Sequence, residues 1–124
     1  MPQVILIVED TDVCRDALEV ALMGRSRFEV RCVATVEEAL QQLRDASICA
    51  LITDLHFRDM DGFDLIQAVR SQSSRSSIPI LVISGDSDPG TPARVASLGA
   101  NAYFPKPYSP AEVRNKLEEL LHGL

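Results

Sequence analysis

Three short stretches of the chain, 4–8, 48–52 and 80–83, are apolar at every position. Runs of that length fit strands covered on both faces, as in a parallel sheet. The pattern predicts a weaker strand over 28–33 and a short one over 102–104. Between them the apolar period changes. Cys14, Ala17, Leu18, Ala21 and Leu22 recur at i, i+3, i+4, i+7 and i+8, which is one buried face of a helix. Thr35-Val36-Glu37-Glu38 is a capping box, a hydroxyl and a carboxylate three residues apart that satisfy the first free amides of a helix. Ala39, Leu40 and Leu43 continue that helix inward. A third helix is predicted from about Asp61-Gly62 to about Ser71, with Phe63, Ile66 and Val69 inward. The fourth spans 91–98 and stops at Gly99, a residue suited to the position just past a helix end. The fifth opens on Ser109-Pro110-Ala111-Glu112, a second capping box with proline at the first helical position. Its apolar stripe is Val113, Leu117, Leu120 and Leu121.

A strand followed by a helix thus occurs five times. Alternation at this spacing predicts an α/β chain with a parallel sheet, right-handed crossovers and helices on both faces. Open sheets of this kind bind ligands outside the carboxyl ends of the strands, where strand order reverses. Those ends concentrate the reactive residues. Glu9 and Asp10 follow the first strand, Asp54 the third, Ser84 and Gly85 the fourth, and Lys106 and Pro107 the fifth. Three carboxylates, a hydroxyl and an ammonium therefore meet on one edge, which the packing of a core does not require. Two carboxylates about 6 Å apart at an effective dielectric of about 20 repel by about 3 kcal/mol. A bound cation or raised pKa values relieve that. An all-oxygen cluster with few protein ligands suits a hard ion such as Mg²⁺, and Lys106 offsets one further charge. One acid of such a cluster can act as a nucleophile and take a phosphoryl group as an acyl phosphate. Mg²⁺ and the lysine then neutralise the incoming charge, and Ser84 donates to a phosphoryl oxygen.

Composition narrows the field. The chain has 124 residues, 46% hydrophobic and 24% charged, enough for one domain with its own core and too apolar for disorder. The early apolar run of five residues is followed at once by Glu9 and Asp10, too short for a signal-peptide core or a membrane span. Cys14, Cys32 and Cys49 lack metal-ligand spacing, and an odd count fits a reducing cytoplasm better than a disulfide framework. They read as small core hydrophobes. Twelve basic against eighteen acidic residues give a net charge of −6, which argues against a surface for nucleic-acid backbone. With Glu9, Asp10, Asp54 and Lys106 assigned to one pocket, fifteen acids and eleven bases remain, so the rest of the surface is only mildly acidic.

Five motifs occur in order: Val4-Ile5-Leu6-Ile7-Val8-Glu9-Asp10, Leu51-Ile52-Thr53-Asp54-Leu55, Met60-Asp61-Gly62, Ile83-Ser84-Gly85 and Lys106-Pro107. Asp54 lies 44 residues after Asp10, Ser84 lies 30 after Asp54, and Lys106 lies 22 after Ser84. On these motifs the sequence resembles the receiver domain of the two-component response regulators, over essentially its whole length, 1–124. The resemblance implies a flavodoxin-like, doubly wound sheet of five parallel strands in the order 2-1-3-4-5, with five helices. It makes Asp54 the phosphoacceptor. It implies Mg²⁺ held by Asp10 and Asp54 directly, by Glu9 through water, and by the backbone carbonyl of His56. Lys106 would pair with Asp54 or its phosphate, and its bond to Pro107 would be cis. Ser84 would grip the phosphoryl group. With Tyr103 as a rotating aromatic, it would change the surface of the fourth helix, fifth strand and fifth helix. His56 and Asp86 stand two residues after Asp54 and Ser84, at positions that in this family shape water access to the acyl phosphate and so its lifetime. The implied partners are a histidine kinase or phosphotransfer protein as donor and an output domain or downstream protein, with a phosphorylation-dependent homodimer. Neither nucleic acid nor membrane is expected as a partner.

Some residues depart from the family or allow a plainer reading. Arg58 and Asp59 stand where the family often has Pro and Gly, so that loop loses a rigid residue and gains two charges. Asp61-Gly62 reads as a turn and helix entry that uses glycine's freedom at positive φ. Pro105 falls in the fifth strand, which should therefore be an edge. Tyr103 also fits a half-buried edge position, Cys14 sits near the active-site end of the first helix, and His122 suits a solvated helix C-terminus. A small aspartyl phosphatase wants a second Asp where His56 stands. A flavin module wants a Ser/Thr/Gly-rich loop where Glu9 and Asp10 would repel phosphate, and a dinucleotide fold wants G-x-G-x-x-G there. A docking-only pseudo-receiver has no need of all five site residues. The expectation is a signalling domain that catalyses its own phosphorylation and dephosphorylation. Its length matches one receiver and leaves no room for an output domain.

Overall fold

The computed structural model describes residues 3–10, 12–24, 28–45, 47–56, 61–72 and 77–122. Strands and helices alternate along it: β1 (Gln3–Val8), α1 (Asp12–Gly24), β2 (Phe28–Val33), α2 (Val36–Gln42), β3 (Ile48–Thr53), α3 (Gly62–Ser71), β4 (Ile80–Ser84), α4 (Thr91–Ser97), β5 (Ala102–Pro105) and α5 (Pro110–His122). The strands form one parallel sheet in the order β2-β1-β3-β4-β5. The order reverses between β1 and β3, so the crevice for a ligand opens where those two strands end.

The continuous apolar runs are explained by the two layers they serve. Val4, Leu6 and Val8 of β1 face one core with Leu51, Ile80 and Val82, under Val36 and Ala39 of α2 and Leu43 at its C-terminal cap, Phe63, Ile66 and Val69 of α3, and Val95 of α4. Ile5 and Ile7 face the other with Ala50, Ile52, Leu81 and Ile83, under Leu18 and Leu22 of α1 and Val113 and Leu117 of α5. Leu65, absent from the predicted inward set, is fully buried in the first core as well. Ala17 corrects the predicted α1 face: it is exposed, while Leu18 and Leu22 of that face are buried, and a single methyl gains little from burial. Cys32 and Cys49 are half-buried rather than core residues. Cys32 lies in the edge strand β2, and the Cys49 thiol, pushed up in pKa by burial, donates to the Val4 carbonyl at 3.4 Å. The side chain of Cys14, and Arg58, Asp59 and Met60, lie outside the described residues, as do residues 73–76 after α3.

Local signals at the helix ends hold. Thr35 caps α2, its Oγ1 accepting from Glu38 N at 3.1 Å, and Ser109 Oγ accepts from Glu112 N at 3.3 Å. Gly99 ends α4 at φ +109°, a conformation in which a side chain is strained. Arg70, at the end of α3, ties this region together: its guanidinium donates to the carbonyls of Ile78 and Gly99 and to Asn101 Oδ1. At the other edge Arg31 of β2 donates to Asp45 Oδ2 at 2.6 Å and to Gln42 Oε1 at 3.3 Å. Pro105 lies in β5, an edge strand, where its missing N–H breaks no ladder on the open side. His122 is exposed and stacks on Phe28, ring centroids 6.2 Å apart. Among the described residues no helix is long and apolar enough to cross a membrane.

Candidate functional site

Three of the strand-end residues are anchored by their own backbone amides. Glu9 N donates to Val33 O at 3.0 Å, Asp54 N to Val8 O at 3.1 Å, and Lys106 N to Ser84 O at 2.8 Å. Each residue is the first past its strand, and its N–H still extends the pairing to the neighbouring strand. The side chains are therefore held as firmly as the sheet itself. The Lys106–Pro107 bond is cis.

Glu9, Asp10 and Asp54 each bring a carboxylate oxygen to within 4.8 Å of the others. Glu9 is fully buried, Asp54 nearly so, and Asp10 is exposed. Lys106 Nζ lies between two of them, 2.7 Å from Asp54 Oδ2 and 3.0 Å from Glu9 Oε2. Partial burial disfavours the ammonium's charge, yet the hydrogen bonds and charges of Asp54 and Glu9 outweigh it, so the Lys106 pKa stands above the ordinary lysine value. The other oxygen of Asp54, Oδ1, accepts from Leu55 N at 2.6 Å. Both oxygens of this carboxylate are thus oriented, one by a backbone amide and one by a cation. Thr53 adds to the local order by donating its hydroxyl to the Asp54 carbonyl at 2.7 Å.

Gly62 performs a different task from the one expected of it. Its φ is not positive; Gly99 alone among the described glycines has that conformation. A Cβ at Gly62 would lie 2.5 Å from the Asp54 carbonyl oxygen and 2.7 Å from Leu55 Cα. The residue is glycine because α3 begins against the backbone that carries Asp54. Gly62 N donates to Leu55 O at 2.7 Å, and Asp61 caps the helix, its Oδ1 accepting from Phe63 N at 2.8 Å.

A second group of predicted residues meets in the loop after β4. The Ser84 hydroxyl, fully buried, accepts from Asp86 N at 3.0 Å. Tyr103 OH donates to the Asp86 carbonyl at 3.4 Å. The Asp86 carboxylate accepts from Asp88 N at 2.8 Å through Oδ1 and meets His56 Nε2 at 3.1 Å through Oδ2. The Asp88 amide first, then His56 and Thr91, hold the Asp86 carboxyl below its usual pKa. The structure thus brings together Glu9, Asp10, Asp54 and Lys106 as one cluster, and Ser84, His56, Asp86 and Tyr103 as a second, bonded group. Sequence reasoning missed Leu55 N–H and Thr53. A backbone amide carries no sequence signal, and the threonine acts on the backbone of its neighbour, which the residue type alone does not announce.

Comparison with known proteins bears on the family and the fold. A family model described as the response regulator receiver domain matches residues 5–118. The transcriptional regulatory protein GltR of Pseudomonas aeruginosa is 33% identical over 117 residues, covering 94% of this chain and 48% of GltR. The chain therefore spans about half the length of that relative. Chemotaxis protein CheY1 of Helicobacter pylori is 32% identical over 118 residues, covering 94% of this chain and 95% of CheY1. The crystal structure of a response regulator receiver protein from Pseudomonas putida superposes with a TM-score of 0.83 at 31% identity, covering 100% of this chain and 98% of that one.

Proposed function

The chain belongs to the response regulator receiver family, and from that membership we propose that it is a phosphoacceptor switch phosphorylated on Asp54. The reading takes the whole chain, 1–124, as one receiver. The observation that supports it best is the Asp54 carboxylate, oriented by Leu55 N and Lys106 Nζ inside a cluster of three acids. An oxygen of Asp54 attacks phosphorus in line with the bond to the donor imidazole. The O–P bond forms, the P–N bond breaks, and the electron pair leaves on the imidazole nitrogen. Lys106 follows the negative charge from the carboxylate to the phosphoryl oxygens, and the Ser84 hydroxyl donates to one of them. Oxygen donors within 4.8 Å of one another fit a hard divalent ion. Glu9, Asp10, Asp54 and the His56 carbonyl would hold Mg²⁺, which supplies charge neutralisation for the phosphoryl group.

The His56–Asp86 pair spans two loops beside this cluster. In this reading it governs how readily water reaches the acyl phosphate. His56→Ala and Asp86→Ala should each change the dephosphorylation rate, and unchanged rates in both refute this part. Ser84 and Tyr103 shift together on phosphorylation and alter the face made by α4, β5 and α5. Moving such an equilibrium from 1:99 to 99:1 takes about 5.5 kcal/mol of differential stabilisation, within reach of a doubly charged group with a cation and a hydroxyl around it. The donor is a cytoplasmic histidine kinase or phosphotransfer protein. The altered face is read by an output domain, a downstream protein or a second copy of the chain.

Incubation with a phosphohistidine donor or acetyl phosphate in Mg²⁺ should label the wild type, and Asp54→Asn should abolish incorporation. Full labelling of that variant overturns the assignment.

A further inference from the structure

Thr53 is an odd residue for its place. It ends β3 between Val8 and Val82, its partners on the two neighbouring strands, and both valines belong to the first core. Valine has the shape of threonine and would suit that layer better. Yet the Thr53 side chain is fully buried, and a buried hydroxyl needs a partner. It donates to the Asp54 carbonyl oxygen at 2.7 Å. That carbonyl and the Leu55 N–H belong to one peptide unit. The unit is planar and trans, so its C=O and N–H point in opposite directions and turn together. Leu55 N donates to Asp54 Oδ1 at 2.6 Å, while Asp54 Oδ2 lies 2.7 Å from Lys106 Nζ. The plane of this peptide therefore sets the rotation of the carboxylate. The start of α3 hems in the same carbonyl oxygen, since a Cβ at Gly62 would stand 2.5 Å from it. Gly62 limits where the oxygen can go, and the Thr53 hydroxyl gives it a direction.

We infer that Thr53 is a positioning residue for phosphorylation: its hydroxyl fixes the Asp54–Leu55 peptide plane and, through the Leu55 N–H, the carboxylate that attacks phosphorus. The inference rests on Asp54 being the phosphoacceptor. A nucleophile oriented before the donor arrives has less rotational freedom to lose on the way to reaction. Being fully buried, Thr53 acts through the backbone and not on the donor.

The test measures labelling of the full chain by acetyl phosphate at saturating Mg²⁺, together with the proton resonance of the Leu55 amide in the unphosphorylated chain. Thr53→Val keeps the side chain's shape and removes its hydroxyl. It should label roughly tenfold more slowly, and Thr53→Ser should label within about twofold of wild type, the effect of one orienting hydrogen bond. The Leu55 amide proton should move upfield in the valine variant, as its bond to Oδ1 loosens, and return in the serine variant. Leu22→Ala, which lowers stability from the opposite face of the sheet, should leave both the rate and the resonance unaltered. If Thr53→Val does not fold, Thr53→Ala lacks the same hydroxyl and must show both changes. Wild-type labelling or an unmoved Leu55 amide in a folded variant without the hydroxyl overturns the inference alone, as does a serine variant as slow as the valine one. A wild type that takes no label, or an Asp54→Asn variant that takes a full one, overturns the phosphoacceptor reading and the inference with it.

Discussion

Lys106 Nζ and Glu9 Oε2 are 97 positions apart in the chain and 3.0 Å apart in the fold, and the glutamate side chain has no surface in solvent. A buried carboxylate that loses a cation at hydrogen-bond distance loses part of the compensation its burial requires. Lys106→Met should therefore destabilise the chain by about 3 kcal/mol, a fall in Tm of roughly 10 °C. Added Mg²⁺ should raise the Tm of the variant by more than that of the wild type, since the ion then has no ammonium to compete with. The raised pKa of Lys106 gives its pairing a pH window: the contribution is complete below the ordinary lysine value and is lost as pH climbs past the higher folded value. Calorimetry with and without the metal checks the first two, and melts at increasingly alkaline pH check the third.

Gly62→Ala pushes a methyl group into the Asp54 carbonyl and Leu55 Cα, both backbone atoms that cannot swing aside. The expected loss is about 2–3 kcal/mol. Because the displaced backbone carries Asp54, phosphorylation by acetyl phosphate should slow as well, and more than in a variant of equal stability altered far from the site. Denaturant melts and initial labelling rates measured together would show this.

Arg70→Lys should not substitute for arginine. The guanidinium serves two carbonyls and Asn101 at once, a fork that a single ammonium cannot reproduce. A loss of about 2 kcal/mol is expected for Lys and for Ala alike. A lysine variant with wild-type stability in urea would contradict it.

Acid should expose the Arg31–Asp45 pair. The Arg31 hydrogen bond first, and the Ser47 amide and hydroxyl next, hold the Asp45 carboxyl well below the usual range. A depressed folded pKa stabilises above the unfolded value near 4 and loses that contribution as pH falls toward the folded one. Asp45→Asn should accordingly be less stable than wild type at pH 7, with the difference shrinking between about pH 4.5 and pH 2. Thermal melts across that range provide the comparison.

Much of this was legible before folding. Double coverage of a parallel sheet leaves a plain mark in runs such as 4–8, and caps such as Thr35 and Ser109 are local enough to read directly. The rule that ligands gather at strand ends, applied to Glu9, Asp10, Asp54, Ser84 and Lys106, picked out residues of which four meet in one cluster. What could not be read depends on segments distant in sequence. Asp61-Gly62 announced a special backbone but not that the Asp54 carbonyl lies against it. Ala17 obeys the helical period and yet is exposed, since one methyl gains too little from burial to fix the helix's orientation. The bonds from His56 and Tyr103 to Asp86 join residues whose chemistry says nothing of their meeting. The roles of the site residues came from the resemblance, which periodicity alone does not supply.

The sheet order divides the site unevenly. The three acids stand at the ends of β1 and β3, which have a strand on either side, while Lys106 follows β5, an edge four residues long. Edges fray before centres. On warming, the lysine should part from the carboxylates while they are still held in place, leaving a negatively charged cradle inside a largely intact fold. Loss of function by heat would then begin as a local imbalance of charge, and precede the melting of the core.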